Sequence, residues 1–244
     1  MIDISPEMMT ILMFGGLLIG LFMGHPLAFV LGGLAVIFGL IGWGPSMFYM
    51  FMNRIWGTMD NYVLLAIPLF VFMAQLLDQS GVADDLFKAL RYVLGQVRGG
   101  ILLSVIVVST IFAACTGIIG ASVVTMGLLA VPMMRKYGYD KQMSYGSICA
   151  GGTLGILIPP SIMLVVMASE ATLSVGKLFA AAVLPGLILA FLYLLYVGIR
   201  CFFKPELGPP ISREERAGVT TAQIAMMVLK SLVPPMILIL GVLG

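Results

Sequence analysis

Charged side chains are scarce in this sequence: 13 lysine and arginine and 11 aspartate and glutamate residues occur among 244. Only 10% of residues are charged and 61% are hydrophobic, whereas about a quarter are charged in an average soluble domain. Residues 8–52 contain no Asp, Glu, Lys or Arg, and His25 is the one histidine among them. A soluble domain cannot bury so much apolar surface, so the composition excludes a soluble protein and predicts a membrane protein.

Histidine and cysteine are also nearly absent. His25 is the single histidine, and the three cysteines, Cys115, Cys149 and Cys201, show no CxxC spacing. No nucleophile–base pair or metal-ligand set is visible, so we expect no enzyme activity and no organic cofactor. The net charge of +2 comes from basic residues scattered at segment ends. This pattern argues against nucleic acid as a partner and for contact with the lipid bilayer.

Eight apolar segments are separated by polar connections, which predicts an all-α membrane protein with several spans. Only residues 178–199 form a clean spanning helix, since they supply the ~20 residues that a helix needs to cross a bilayer. The segments are residues 8–23, 27–41, 62–77, 101–114, 123–134, 143–168, 178–199 and 232–244.

The uncharged run at residues 101–134 is interrupted by small and hydroxyl residues at 115–122. Each remaining arm is too short to span a bilayer comfortably. Basic residues lie on both flanks, at 78–98 and 135–141, and the positive-inside rule places both flanks on the cytoplasmic side. The run must leave and return on one face, which predicts a re-entrant helical hairpin with its tip near residues 116–122.

A second interruption lies at residues 151–161, inside the apolar segment 143–168. Pro159 and Pro160 lack backbone donors and the three glycines relax the helix, so we predict a broken helix. Freed carbonyls and hydroxyls suit a hard cation, and half-helix N-termini suit an anion. Alternatively, the glycines only permit close packing and the prolines only kink the helix.

The two interruptions together supply the candidate sodium and substrate ligands. Neither contains an acidic or basic residue, which favours a sodium ion held by neutral oxygens over a proton relay. The candidates are Thr116, Gly117, Gly120, Ser122, Gly152, Thr153, Gly155, Pro159, Pro160 and Ser161.

The pattern also predicts a division of the chain. Residues 1–60 are expected to form scaffold helices and an interfacial helix at 46–55, which Trp43 and Trp56 flank. Residues 61–203 are expected to hold the hairpin (101–134), the broken helix (143–168) and the spanning helix (178–199). Residues 204–221 read as a cytoplasmic linker, and residues 222–244 as the beginning of a further, truncated part.

The block Gly-Gly-Thr-Leu-Gly-Ile-Leu-Ile-Pro-Pro-Ser at 151–161 resembles the signature of a known family. It is similar to the large membrane (DctM-like) subunit of tripartite ATP-independent periplasmic (TRAP) transporters. Residues 67–70, 113–117 and 136–140 support the resemblance, which covers nearly the whole chain. One departure concerns the hairpin tip, because the family usually has Ser-Gly-Ser or similar there, whereas this chain has Thr116-Gly117-Ile118.

The resemblance implies an elevator-type, inverted-repeat carrier of which this chain is the first repeat plus the start of the second. It implies a sodium-coupled importer of an organic acid anion in the bacterial cytoplasmic (inner) membrane. The implied partners are a small membrane (Q-type) subunit and an extracytoplasmic solute-binding protein. The implied sodium sites are Thr116-Gly117 and residues 152–161. Dicarboxylates, keto acids and sugar acids are all candidate substrates.

Two alternatives remain at this stage. One is an elevator-type anion symporter that works without a binding protein. The other is a non-transporting membrane scaffold whose glycines and prolines only shape packing.

Overall fold

The computed structural model describes residues 5–210 and 221–243, and all regular structure in these residues is helical. Contacts divide the chain into two compact units, Met1–Asn61 and Tyr62–Gly244. Five described helical stretches are long and apolar enough to cross a membrane, which confirms the predicted all-α membrane fold. These stretches are Tyr62–Gln79, Ile119–Lys136, Lys141–Glu170, Val175–Phe203 and Gln223–Gly241.

The first unit contains three helices. Their bounds are α1 Pro6–Phe22, α2 Leu27–Trp43 and α3 Ser46–Met59. Helices α1 and α2 approach closely, because Gly16 faces Leu34 and Gly20 faces Val30. Helix α3 is amphipathic and begins where the interfacial helix is expected, but it ends four residues later; its lying in the membrane plane stays a prediction.

The second unit contains eight α-helices among its described residues. They are α4 Ala66–Gln79, α5 Val82–Leu94, α6 Gly100–Thr116, α7 Ile119–Lys136, α8 Lys141–Leu157, α9 Ile162–Glu170, α10 Val175–Phe203 and α11 Thr221–Leu243. Short 3₁₀ turns precede α4 and follow α10. At 1.5 Å per residue, the 29 residues of α10 extend about 43 Å, longer than the predicted span. Lys177 and Arg200 lie inside this helix because long basic side chains reach the interface from within a span.

Helix α6 is the centre of this unit. Thirteen of its 17 residues are buried, from Gly100 at its first position to Thr116 at its last. It packs mainly against α8, and the largest hydrophobic cluster joins it to α5, α7 and α10. This surrounding protein explains why α6 is apolar on every side without facing lipid.

Helix α5 lies between the predicted apolar segments 62–77 and 101–114, where only a polar connection is predicted. Its buried face includes Leu86 and Phe87, while Asp84 and Lys88 form an ion pair on the exposed face. The spacing of apolar residues at i, i+3 and i+4 in this stretch is the signal that predicts an amphipathic helix.

The end of the hairpin opposite its tip is held by backbone hydrogen bonds. The Gly99 N–H donates to the Gly208 carbonyl at 2.8 Å, and the Asp140 N–H donates to the Leu207 carbonyl at 3.2 Å. The beginning of the predicted linker 204–221 is therefore docked on the hairpin, while residues 211–220 lie outside the described residues.

Tyr139→Phe is expected to lower the melting temperature. The Ile101 N–H, which has no carbonyl partner in the first turn of α6, donates to the Tyr139 hydroxyl at 3.3 Å. Burial raises the pKa of Tyr139 to about 12, so the phenol stays neutral. Losing the acceptor should cost about 1–3 kcal/mol. Thermal unfolding tests this, with Tyr145→Phe, at a 49% exposed position, as the control. Equal melting temperatures for the two variants would refute the proposed role of the hydroxyl.

Candidate functional site

The hairpin tip is a two-residue interruption between α6 and α7. Gly117 adopts the left-handed conformation at φ 61°, and its N–H donates to the Ala113 carbonyl at 3.0 Å. Ile118 is extended, and α7 begins at the next residue. The interruption is narrower than the predicted 115–122, because the Ser122 hydroxyl bonds to the Ile118 carbonyl within α7 at 3.1 Å and does not disturb the helix.

The second interruption comprises residues 158–161, between α8 and α9. Ile158 and Ser161 are both extended, and Pro159 and Pro160 lie between them. The three glycines expected to relax this helix instead remain inside α8.

Two of these glycines are needed for close packing. A Cβ atom at Gly151 would lie 2.6 Å from the Ser109 Cβ, and one at Gly152 would lie 2.2 Å from the Val123 Cγ2. A Cβ at Gly155 would lie 3.6 Å from the Ala113 Cβ, which is an ordinary van der Waals contact. For Gly151 and Gly152, the structure supports the packing alternative of the sequence analysis.

The hairpin tip meets the second interruption directly. A Cβ atom at Gly117 would lie 2.7 Å from the Pro160 carbonyl oxygen, 3.2 Å from the Ser161 Cα and 3.3 Å from the Ile162 nitrogen. The C-termini of α6 and α8 and the N-termini of α7 and α9 therefore converge on one place. Glycine at position 117 permits this approach.

Converging helix ends place opposite partial charges close together. The N-termini of α7 and α9 carry partial positive charge, and the C-termini of α6 and α8 carry partial negative charge. The N-cap residues of α7 and α9, Ile118 and Ser161, make no side-chain capping hydrogen bond in the described residues. The first N–H groups are suited to an anion, while the last carbonyls of α6 and α8 are suited to a cation.

Three buried hydroxyls lie at these helix ends. The Thr116 and Ser122 hydroxyl oxygens are 3.0 Å apart, and their residues are 1% and 0% exposed. The Ser161 hydroxyl donates to the Ile156 carbonyl at 2.6 Å. The structure thus gathers six of the ten candidates at the junction of the helix ends: Thr116, Gly117, Ser122, Gly155, Pro160 and Ser161.

The other candidates lie elsewhere. Gly152 faces Val123 of α7, and Pro159 is buried within the interruption. Thr153 is exposed and its hydroxyl bonds to the Ala150 carbonyl at 2.7 Å, while Gly120 faces open space. A part for Thr153 and Gly120 in ion binding stays a prediction.

Sequence reasoning missed a carboxylate that reaches the hairpin from another helix. The Thr125 hydroxyl of α7 donates to the Asp78 carboxylate of α4 at 2.5 Å. The hairpin itself contains no charged residue, and 47 positions separate the pair. No local pattern signals such a contact.

An all-helical membrane protein in which a hairpin tip meets an interrupted helix has the architecture typical of secondary transporters. Residues 14–244 match the family described as "Tripartite ATP-independent periplasmic transporter, DctM component", and the chain belongs to this family. This confirms the resemblance seen in the sequence.

Individual relatives agree with this assignment. The chain is 38% identical over 146 residues to the C4-dicarboxylate TRAP transporter large permease protein DctM of Pseudomonas aeruginosa, covering 60% of this chain and 34% of the relative. It is 33% identical over 197 residues to the protein of that name from Vibrio cholerae, covering 81% and 43%. It is 32% identical over 176 residues to the isethionate TRAP transporter permease protein DctMQ of Oleidesulfovibrio alaskensis, covering 72% and 28%. The chain spans less than half the length of these relatives.

Proposed function

We propose that this chain is part of the permease of a sodium-coupled secondary transporter that imports an organic acid anion. The anion is delivered by an extracytoplasmic solute-binding protein, and a small membrane subunit completes the complex in the bacterial inner membrane. The contact of Gly117 with residues 160–162 is the observation that carries the proposal. This contact brings the ends of four helices together, and their backbone groups form one polar site within a largely apolar bundle.

The proposed cation is sodium because every candidate ligand is a neutral oxygen. Thr116 and Ser122 offer hydroxyls, and the ends of α6 and α8 offer carbonyls. Oxygen ligands of this kind suit a hard cation. Neither residues 101–134 nor residues 151–161 contain an acidic side chain for a proton relay.

The proposed substrate is an anion because the N-cap residues of α7 and α9 make no side-chain capping hydrogen bond within the described part of the chain. Relatives named for C4-dicarboxylate and isethionate support a small organic acid. Dicarboxylates, keto acids and sugar acids all present a carboxylate, which accepts hydrogen bonds from uncapped N–H groups. Family membership favours delivery by a binding protein over the binding-protein-independent symporter.

Thr116→Val is expected to raise the sodium concentration for half-maximal uptake by about tenfold in the complete carrier, equivalent to ~1.4 kcal/mol. The substitution removes a buried hydroxyl at the junction of the helix ends while keeping the side-chain shape. Uptake into proteoliposomes at varied sodium, with and without the binding protein, measures the effect.

Thr110→Val is the matched control, since its hydroxyl bonds to the Ile106 carbonyl within the same helix, away from the tip. Thr153→Val tests the exposed candidate separately. Unchanged sodium dependence of uptake in Thr116→Val would contradict the proposed ion site. Uptake without the binding protein would favour the symporter that works independently of it. No uptake under any condition would favour the non-transporting scaffold.

A further inference from the structure

A cavity of about 400 Å³ lies between α8 and α10, at the end of the hairpin opposite its tip. Most of its lining is apolar and includes Ile106 and Val197, with Ser147, Tyr193 and Tyr196 among it, whereas Asp140 and Arg200 line it at the ends of the two helices. The cavity therefore has a charged end and a mainly apolar interior. It shares no residue with the proposed ion site.

The position of the cavity follows from the helices that line it. Asp140 caps the N-terminus of α8, and Arg200 lies in the last turn of α10. Ala150 lies nine residues into α8 from Lys141, about 13 Å at 1.5 Å per residue. Both helices have the length and hydropathy of membrane spans, so we expect the charged end at the membrane interface and the apolar interior toward the hydrocarbon.

The two charged side chains at this end form no ion pair with each other in the described residues. Arg200 makes no ion pair or side-chain hydrogen bond within the part of the chain that the structure describes, including with Asp140. One carboxylate oxygen of Asp140 accepts the Met143 N–H at 2.9 Å, which leaves its second oxygen for another donor. A separated carboxylate and guanidinium beside an apolar cavity are complementary to a zwitterion with an apolar tail.

We propose that this cavity binds one aminophospholipid of the surrounding membrane, such as phosphatidylethanolamine. Its phosphate pairs with Arg200, its ammonium group pairs with Asp140, and an acyl chain occupies the apolar interior lined by Ile106, Met143 and Val197. The lipid fills the space between α8 and α10 and holds these helix ends together. This proposal does not depend on the transport function.

The test is the melting temperature of the delipidated full chain with added lipids of matched acyl chains. Phosphatidylethanolamine is expected to raise it by about 3 °C or more above phosphatidylglycerol, which lacks the ammonium group. Soluble phosphoethanolamine is expected to have no effect because it lacks the acyl chains. Native mass spectrometry should show one retained phosphatidylethanolamine.

Two variants test the contributions of the two charged side chains one at a time. Asp140→Asn keeps the helix cap, since asparagine caps as well as aspartate, and should abolish the preference for phosphatidylethanolamine over phosphatidylglycerol. Arg200→Gln should abolish the response to both lipids. Arg135→Gln, at an exposed position that does not line the cavity, should behave as the unsubstituted protein.

Three results would overturn the proposal. Equal stabilisation of the unsubstituted protein by both lipids would show that the ammonium group is not recognised. An unaltered preference in both Asp140→Asn and Arg200→Gln would place the lipid elsewhere. No response to any lipid would indicate that protein covers the cavity.

Discussion

Gly117→Ala is expected to reduce uptake by the complete carrier more than tenfold while the protein still inserts into the membrane. Gly117 adopts φ 61°, and the left-handed conformation costs an L-residue about 1–2 kcal/mol. The added Cβ would also lie 2.7 Å from the Pro160 carbonyl oxygen. That oxygen belongs to the backbone, so the hairpin tip must withdraw from the interrupted helix. The substitution therefore separates the helix ends that form the proposed site.

Two further variants make this prediction specific. Gly120→Ala, three residues along the same hairpin, places its Cβ in open space and keeps the backbone carbonyl, the one oxygen that this residue could offer an ion, so it should retain uptake. Gly117→Asn tolerates the left-handed conformation but still adds a Cβ, so it should be as harmful as alanine if the close approach dominates. Uptake in proteoliposomes and the amount of protein in the membrane are the two readouts. Equal uptake by Gly117→Ala and Gly120→Ala would contradict the proposed junction.

Gly152→Ala is expected to destabilise the protein by about 1–3 kcal/mol, the usual cost of overpacking a core. The new Cβ would lie 2.2 Å from the Val123 Cγ2 and 3.3 Å from the Val123 nitrogen. Val123 is β-branched and lies within α7, so its side chain has little freedom to rotate away. Helices α7 and α8 must then move apart. Thermal unfolding of the purified chain measures the change.

A second substitution at Val123 identifies the cause. Val123→Ala removes the methyl group that the new Cβ meets, so the double variant should recover most of the stability lost in Gly152→Ala. Gly127→Ala is the control for glycine replacement in a helix, because no atom lies within 4 Å of its Cβ position. Strictly additive effects of the two substitutions would rule out the Gly152–Val123 contact as the source of the destabilisation.

The membrane class and the positions of both interruptions were predictable from local sequence. A bilayer requires long apolar segments with internally satisfied backbones, and departures from that pattern are conspicuous. The two interrupted pairs of helices accordingly lie at the predicted places. The second arm of the hairpin, Ile119–Lys136, is longer than predicted and long enough to cross a membrane, so the re-entrant path stays a prediction. The widths of the interruptions were not predictable, because the hydroxyls of Ser122 and Thr153 bond to carbonyls of their own helices. The same residue types that interrupt a helix also fit inside one.

The sequence by itself determined that this protein is helical, belongs in a membrane and contains two interrupted apolar segments. Only the tertiary structure decided which candidates meet: Gly117 contacts Pro160, whereas Thr153 lies on an exposed face of α8. It also brought Asp78 to Thr125 across 47 positions. The physical reason is that hydropathy and backbone chemistry act locally along the chain. Contacts between distant residues depend on which helix faces pack together, and α6 and α8, which have no distinct apolar face, give little indication of that choice.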